Sequence, residues 1–437
     1  LTSDRITKEE EKILKKPVSP FPARRRCPPS TLRSYLWSGV TGLFDVRWLL
    51  GMRPAIVDRP APKGATVTIL IPAHNEEGHL IHAVDSLFKQ TYPIFSVIIA
   101  ENGSRDATGD EAEWLARKYP DIVFALRAGN VGSKAAALNA GLDAGFPIGE
   151  LIVEMDADTE FAPDAIERLI PHFNDPTVAV VCGQVLPKPY SGKRPSVWWR
   201  AKLVEYILGQ GLTKEAQNSL GAVMVMCGCF SMFYASLIGK FSDATMAEDM
   251  EKSWELQFQG YKAVYEPESL CYASEPETKE VFWNQRWRWL CGFLQCYELY
   301  VGKLFRRNTR LFFVVHYMFI CALTGMALDL FLFPIGIYYF TRNPALTETI
   351  PIAAITTDIG AMLFALICYS YNIGGVRLVL TSLRCVPAAF WGTFVIQCCF
   401  FKAILWEWIL QIRLKKWKSG HGALHASSRT ATTRLPA

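Results

Sequence analysis

The residues best placed to do chemistry end the apolar run Leu151-Ile152-Val153-Glu154-Met155-Asp156-Ala157-Asp158-Thr159. Side chains alternate in an extended segment, so Asp156 and Asp158 fall on one side of the chain where a buried strand would reach the edge of its sheet. Two carboxylates there suit a hard divalent cation. Magnesium or manganese commonly takes one or two carboxylates and completes its shell with water and phosphate oxygens, which makes a metal-diphosphate the natural ligand. An isolated Asp-x-Asp is as readily a solvated turn; the strand-end setting is what favours the metal.

Polar clusters of the same kind recur upstream. Val67 to Pro72 reads as a buried strand, followed by Ala73-His74-Asn75-Glu76-Glu77 and a helix over His79 to Lys89. A second strand, Phe95 to Ala100, ends in Glu101-Asn102-Gly103-Ser104-Arg105-Asp106 before a helix over Gly109 to Tyr119. A third, Ile122 to Ala125, precedes Asn130-Val131-Gly132-Ser133-Lys134 and a helix over Ala135 to Ala144. This alternation predicts a parallel sheet whose strands carry their sites at the C-terminal ends. His79 and His82 lie one helical turn apart and, lacking a third ligand, read as surface residues.

The chain has 437 residues, half of them hydrophobic and 20% charged, which is room for two or three domains. Its mean hydropathy is slightly positive, and the apolar residues concentrate from about Leu311 onward. Leu311 to Phe340, Ile350 to Tyr371 and Val386 to Ile412 are each long enough to span a bilayer, although the first contains His316 and Asp329 and the last Lys402 and Glu407. Three full spans would place the basic run Arg413 to Lys418 on the side opposite the head. The positive-inside tendency disfavours that, so one segment is expected to be re-entrant, doubled or interfacial.

The expected organisation is an N-terminal arm over 1–64, a nucleotide-binding head over 65–300, membrane helices over 301–417 and a disordered tail over 418–437. The arm is rich in proline and lacks the apolar core of a signal peptide. Within it, Tyr35 to Leu50 is too short and broken to span and reads as an interfacial helix. A net charge of +5 is too small to argue for nucleic acid, and the basic clusters Arg24 to Arg26, Arg306 to Arg310 and Arg413 to Lys418 fit membrane flanks. The twelve cysteines form no paired CxxC motifs; Cys227/Cys229 and Cys398/Cys399 read as buried small hydrophobes in a reducing setting, not as disulfides or zinc ligands.

Six motifs occur in a shared order: Pro72-Ala73-His74-Asn75-Glu76, Glu101-Asn102-Gly103-Ser104-x-Asp106, Lys134 with Ala137-Leu138-Asn139, Asp156-x-Asp158, Glu248-Asp249 and Gln285-x-x-Arg288-Trp289. In this the chain resembles family 2 glycosyltransferases, in particular the membrane-integrated branch that includes cellulose, chitin and hyaluronan synthases, over roughly residues 65 to 300. The resemblance implies an α/β fold, a GT-A Rossmann-like nucleotide-sugar-binding domain followed by a C-terminal α-helical membrane region. It also implies transfer with inversion from a nucleotide-diphosphate sugar, usually a UDP-sugar.

By the same resemblance Asp158, helped by Asp156, holds Mn2+ or Mg2+ against the departing diphosphate. Pro72, His74, Asn75, Glu76, Glu101, Asn102, Lys134, Asp156, Gln285 and Arg288 contact the donor. Lys134 reads otherwise as a residue at a helix start after a glycine turn. Glu101 stands where relatives often carry aspartate, and its longer arm would shift the base. Asp249, with Glu248 beside it, would take the proton from the acceptor hydroxyl; the alternative is a pair of helix-capping residues. Gln285, Arg288 and Trp289 share a helix face at i, i+3 and i+4, and Trp289 closes the acceptor site, together with Cys229 and Phe230, for either of which core packing is the alternative. An amphipathic membrane-surface helix would also favour Arg and Trp in such a stretch. Val197 to Leu212 reads as such an interface helix.

The expectation is therefore a membrane enzyme with its head in the cytoplasm, transferring a hexose or N-acetylhexosamine to a growing polysaccharide. The alternatives are single transfer to a lipid or protein, or a non-catalytic scaffold. Expected partners are the nucleotide sugar, a glycan, lipid or protein acceptor and membrane lipids, with no nucleic acid; the apolar surface permits a homo-oligomer.

Overall fold

A computed structural model describes residues 64–189, 194–342, 352–412 and 414. The expected arm, the helix at Tyr35 to Leu50, the tail and most of the Arg413 to Lys418 run lie outside the described residues.

The head begins with β1 (Val67–Ala73), α1 (His79–Leu87), β2 (Ser96–Glu101), α2 (Thr108–Lys118), β3 (Val123–Arg127), α3 (Lys134–Asp143) and β4 (Leu151–Met155). These elements agree with the sequence pattern to within one or two residues at their ends. β1 pairs in parallel with β2 on one side and with β4 on the other. Strands covered on both faces read as unbroken apolar runs, and β1, β2 and β4 are buried almost throughout.

The remaining strands are β5 (Thr159–Phe161), β6 (Val178–Pro187), β7 (Phe230–Tyr234) and β8 (Lys262–Ala273), completing an eight-stranded sheet in the order β3-β2-β1-β4-β7-β6-β8-β5. The chain leaves β1 toward β2 on one side and returns to β4 on the other. The crevice at the carboxyl ends of β1 and β4 is thus a topological switch point, the place where open α/β sheets bind ligands. His74 and Asn75 emerge from one of these strands, Asp156 and Asp158 from the other.

The helices that follow pack this sheet against the apolar C-terminal part. They are α4 (Ala165–Leu169), α5 (Val197–Glu205), α6 (Thr213–Ser219), α7 (Ala235–Ile238), α8 (Glu248–Phe258) and α9 (Lys279–Arg307). The helix expected over Val197 to Leu212 is α-helical only to Glu205, then widens into a π-helical stretch, Tyr206–Leu212, and continues as α6. α9 crosses the start of α8 closely at Gly292, where a Cβ would meet that of Ala247 at 2.8 Å.

α10 (Thr309–Ala327) and α11 (Phe333–Arg342) run on from one another through a π-helical Leu328–Leu332, over the segment expected as a span at Leu311 to Phe340. α12 (Ile352–Ile404) contains Gly375 at φ 63°, a non-helical break. Ser370 and Ser382 touch through their hydroxyls at 3.0 Å. Twelve residues of straight helix would separate them by about 18 Å, so the chain folds back at Gly375 into a helical hairpin. Thr309–Phe331 and Met362–Ile409 are long and apolar enough to cross a membrane. The first limb of the hairpin is seated on the sheet, where the Tyr369 hydroxyl lies 3.2 Å from that of Tyr265. The C-terminal end of the segment expected as a second span thus packs on the head.

Two charged groups near the end of the apolar part, Lys402 and Glu407, face protein. Lys402 lies 3.7 Å from the Trp287 ring centroid with Trp283 and Trp406 nearby, and buried Glu407 accepts from Gln295 Nε2 at 2.9 Å. Such placement avoids the cost of a charge in hydrocarbon.

Gly183 in β6 has no room for a side chain, since a Cβ there would lie 2.2 Å from the Phe230 ring and 2.5 Å from the Ser269 carbonyl oxygen. Gly183→Ala is expected to lower stability by about 1–3 kcal/mol, read as a lower unfolding midpoint in detergent; an unchanged midpoint would refute the packing described here.

Candidate active site

Lys134 opens α3, whose N-cap Ser133 accepts from Ala136 N at 3.0 Å. This fixes the lysine at the mouth of the crevice, with its ammonium 2.7 Å from Asp156 Oδ1, 3.0 Å from Glu154 Oε1 and 3.5 Å from Glu248 Oε1. Lys134 therefore starts the helix, as the alternative reading of it had, and also reaches three carboxylates. Burial alone would favour its neutral form, but Asp156, Glu154 and Glu248 outweigh that and hold its pKa well above the ordinary lysine value. Glu154 is fully buried, its oxygens accept no hydrogen bond, and burial first and neighbouring carboxylates next push its pKa up. Asp156 is raised for the same leading reason.

Asp249 lies in the first turn of α8, one residue past its start, and not at the cap, which is Ala247. Its Oδ2 accepts from Gly228 N at 3.1 Å and its Oδ1 from Met250 N at 2.7 Å. Burial, then the adjacent Glu248, raise its carboxyl to about 6. Gly228 also gives its carbonyl oxygen to Lys134 Nζ at 3.1 Å, and a Cβ on it would lie 2.8 Å from that nitrogen and 3.3 Å from the Asp249 Cβ. One peptide unit without a side chain thus spaces the lysine from the aspartate. The sequence reading flagged the cysteines on either side of Gly228 and passed over the glycine.

A cavity of about 610 Å³ joins these groups. Pro72, His74, Glu76, Asn102, Lys134, Asp156, Asp158, Cys229, Glu248, Asp249, Gln285, Arg288 and Trp289 all line it. Asn75, Glu101 and Phe230 do not. Asn75 sits at φ 57° and spends its side chain on the facing loop, accepting from Arg105 N at 2.9 Å. Glu101 is 4% exposed and accepts from the N–H of Ser104 in its own turn. Phe230 is fully buried with its ring 4.3 Å from that of Phe161, so for this residue the core-packing alternative prevails.

At the far wall Trp289 has Lys202 Nζ 4.6 Å and Arg286 Cζ 4.3 Å from its ring centroid. Lys202 is fully buried, 3.1 Å from Glu275 Oε2 and 3.1 Å from the Tyr206 hydroxyl, while Arg286 bonds Glu205. Burial, then the Arg286 cation, pull Lys202 down to about 8. Lys202 and Glu275 escaped the sequence reading because nothing in an interface-helix pattern distinguishes a buried lysine from a solvated one. Beyond Trp289 the lining becomes apolar, with Met318 and Ala322 of α10 and Ile396 and Phe400 of α12.

The residues fit a divalent cation held jointly with a ligand. Lys134 faces three carboxylates, Asp249 stands close to two of them, and this excess of negative charge in a mostly dry site calls for a further cation. Among the described residues no three His, Cys, Asp or Glu side chains form a closed metal cage. Asp156 and Asp158, both on the cavity wall, are the pair that could bind one side of a metal whose other ligands come from a diphosphate.

Removing the lysine leaves buried carboxylates uncompensated. Lys134→Met is expected to cost about 3–5 kcal/mol, and adding Glu154→Gln to recover part of it, measured by unfolding of single and double variants. Equal losses in both would refute the charge account.

Residues 68–241 match the protein family described as glycosyl transferase family 2. A poly-beta-1,6-N-acetyl-D-glucosamine synthase of Staphylococcus aureus (strain MSSA476) is 29% identical over 253 residues, covering 57% of this chain and 58% of the relative. The protein of the same name from Staphylococcus epidermidis is 31% identical over 231 residues, covering 52% and 54%. The chain thus spans little more than half the length of these curated relatives. Among solved structures, the mannosyltransferase PcManGT of Pyrobaculum calidifontis, in complex with GDP-Man and Mn2+, aligns with a TM-score of 0.50 at 20% identity over 84% of this chain and 97% of its own. That likeness is one of fold, a GT-A-like sheet followed by apolar helices. Through the match at residues 68–241, together with these relatives, this region of the chain belongs to glycosyl transferase family 2.

Proposed function

We propose that this enzyme is a membrane-associated, inverting, metal-dependent transferase that moves a hexose or N-acetylhexosamine from a UDP-sugar to a growing polysaccharide. The observation that carries the reading is one continuous cavity, which runs from His74 and Asn102 past Asp156, Asp158 and Asp249 to Trp289 and on to Met318, Ala322 and Phe400. A donor nucleotide fits its polar end and an acceptor its other end, with the aspartate between them. The staphylococcal relatives named as poly-N-acetylglucosamine synthases make UDP-N-acetylglucosamine the first donor to test.

In this reading Asp249 accepts the proton of the acceptor hydroxyl as its oxygen bonds the anomeric carbon, and the bond from that carbon to the diphosphate breaks on the opposite face. Gly228 and Met250 aim the carboxylate. Lys134 stabilises the departing diphosphate and Arg288 and Gln285 hold it from α9; the buried Gln285 Oε1 has no hydrogen-bond partner and suits a ligand donor. A metal on Asp158 and Asp156 supplies further charge neutralisation of the leaving group. Trp289 offers an apolar platform to the acceptor sugar. Glu101 acts through the turn that presents Asn102, since its carboxylate serves that turn. The head faces the cytoplasm, where nucleotide sugars are made. A second reading, transfer of one sugar to a lipid, draws on the apolar end of the cavity; a product ladder against a single added sugar decides between the two.

The test is UDP release by the detergent-purified chain across a panel of UDP-sugars with Mn2+ or Mg2+. Asp158→Ala is expected to abolish release, and Asp249→Asn to abolish it while leaving nucleotide binding intact; turnover in the latter would remove Asp249 from its role. The aspartate must be ionised to act, so the rate should rise as pH increases through about 6.

Trp289 gives a second pH limb. The Lys202 charge is complete well below pH 8 and is lost as pH rises through about 8, in an environment of Glu275, Arg286, Glu205 and Tyr206. The KM for acceptor should therefore rise on the alkaline side with kcat less affected. Lys202→Met should show the raised KM at every pH, and a variant that kept the alkaline limb would exclude this lysine.

A further inference from the structure

The far wall of the cavity holds two buried polar atoms that make no hydrogen bond. Arg286, 4% exposed, bonds Glu205 through Nη2 and holds its Cζ 4.3 Å from the Trp289 ring centroid and 5.4 Å from that of Phe282, while its Nε–H reaches no acceptor. Glu275 is buried with its Oε2 3.1 Å from the Lys202 ammonium, and that oxygen accepts no hydrogen bond. Glu205, Tyr206, Glu275, Arg286 and Trp289 line the cavity, whereas the fully buried Lys202 is not part of its lining. A buried donor or acceptor left unmet is costly, so such atoms on a cavity wall mark where a ligand completes the site.

The fold fixes both groups relative to the reaction centre. Glu275 follows β8, whose last residue, Ala273, pairs with Thr159 just beyond Asp158, and the hydroxyl of the intervening Ser274 donates to Asp158 O at 3.2 Å. Pro276 holds the backbone of Glu275 away from the helical region. Arg286 and Trp289 stand three residues apart in α9, so their side chains share a face. Charge is balanced here: Glu205 answers Arg286, and Glu275 answers Lys202. A further ammonium or carboxylate would be left unpaired in a buried setting, so the wall suits a neutral group. What remains unmet is one donor and one acceptor. Val185 and Ala273, from the neighbouring strands β6 and β8, add apolar surface to the lining.

We propose that Arg286 and Glu275 read an N-acyl group on the acceptor, so that the acceptor is a glycan ending in an N-acetylated sugar. The amide carbonyl oxygen accepts from Arg286 Nε–H, the amide N–H donates to Glu275 Oε2, and the methyl lies against the apolar lining. An amide is neutral and carries its donor and its acceptor on separate atoms, with a hydrocarbon end beyond them. A hydroxyl at the same carbon has one oxygen for both contacts and no apolar part. A free amine is a cation at neutral pH and would meet Lys202 and Arg286. The assignment of this group to the acceptor rests on the transferase reading given above. It adds a specificity residue that the Gln285-x-x-Arg288-Trp289 pattern leaves open, since Arg286 fills one of the pattern's unspecified positions. A lysine there would keep the charge beside Glu205 and lose the planar fork that aims Nε–H.

The test begins without a donor sugar and so stands apart from turnover. The full chain, in a detergent without a sugar headgroup, is titrated with the methyl glycosides of N-acetylglucosamine, glucosamine, glucose and 2-O-acetylglucose, and binding is read by saturation-transfer NMR. The N-acetyl glycoside is expected to bind at least about tenfold more tightly than the other three, with its strongest transfer at the acetyl methyl. The 2-O-acetyl glycoside keeps the carbonyl and lacks the N–H, so it isolates the Glu275 contact on the unaltered chain. Arg286→Lys is expected to erase most of the preference for the N-acetyl glycoside over the glucoside while UDP binding, which reports an intact fold, persists. In turnover the same variant should raise the KM for acceptor more than it lowers kcat. Should the variant not fold, the four glycosides on the parent chain decide alone. Equal binding of the four, a preference for the amine, binding of none, or an Arg286→Lys chain that binds UDP and keeps the preference would each overturn the proposal. A preference for the N-acetyl glycoside in a chain that releases UDP from no UDP-sugar would uphold the amide site and count against the function.

Discussion

The site depends on one cation. Lys134 stands among Asp156, Glu154 and Glu248, within reach of the field of Asp249, at the point where β4 ends and α3 begins. The three carboxylates it touches come from two elements far apart in sequence, so the ammonium ties the β4 end to the start of α8 and brings the helix that bears Asp249 to the crevice. An imbalance of charge remains even so. Buried carboxylates left short of positive charge make a poor structural feature and a good receptacle for a metal-diphosphate, whose cation and whose need for directed donors complement them.

Much of this arrangement was legible in the sequence because it follows from local pattern. Buried parallel strands read as apolar runs, and the polar residues at their ends mark the crevice, so the first four strands and the Asp156, Asp158 and Asp249 constellation could be located from spacing and resemblance. What escaped depended on contacts that cross the fold. Gly228 matters because its peptide lies between Lys134 and Asp249, which no neighbour in sequence announces. Lys202 is buried because Glu275 and Tyr206 receive it, and Glu101 turns inward because Ser104 N claims its carboxylate. Phe230 fills space against Phe161 in place of facing a ligand.

The apolar C-terminal part shows the same limit. Hydropathy located the long segments but not the fold-back at Gly375, which a single positive φ produces. Its residue type was compatible with that turn and with an uninterrupted helix, and only the Ser370–Ser382 contact distinguishes them. Charge placement was more readable in hindsight than in advance: Lys402 and Glu407 look forbidding in a span, yet α9 supplies two tryptophan rings for one, beside Trp406 of its own segment, and Gln295 for the other.

The seating of Tyr369 on Tyr265 and Gln184 has a mechanical meaning. β6 and β8 receive the first limb of the helical hairpin through buried hydroxyl and amide groups, while its second limb supplies Ile396 and Phe400 to the cavity wall. Among the described residues, sheet and apolar helices therefore meet at a joint of buried polar contacts that lies beside the cavity. Were the long apolar helices to lie in a bilayer, such a joint would work as a depth gauge: the height of the cavity mouth above the lipid surface would follow from where the hairpin seats on β6 and β8.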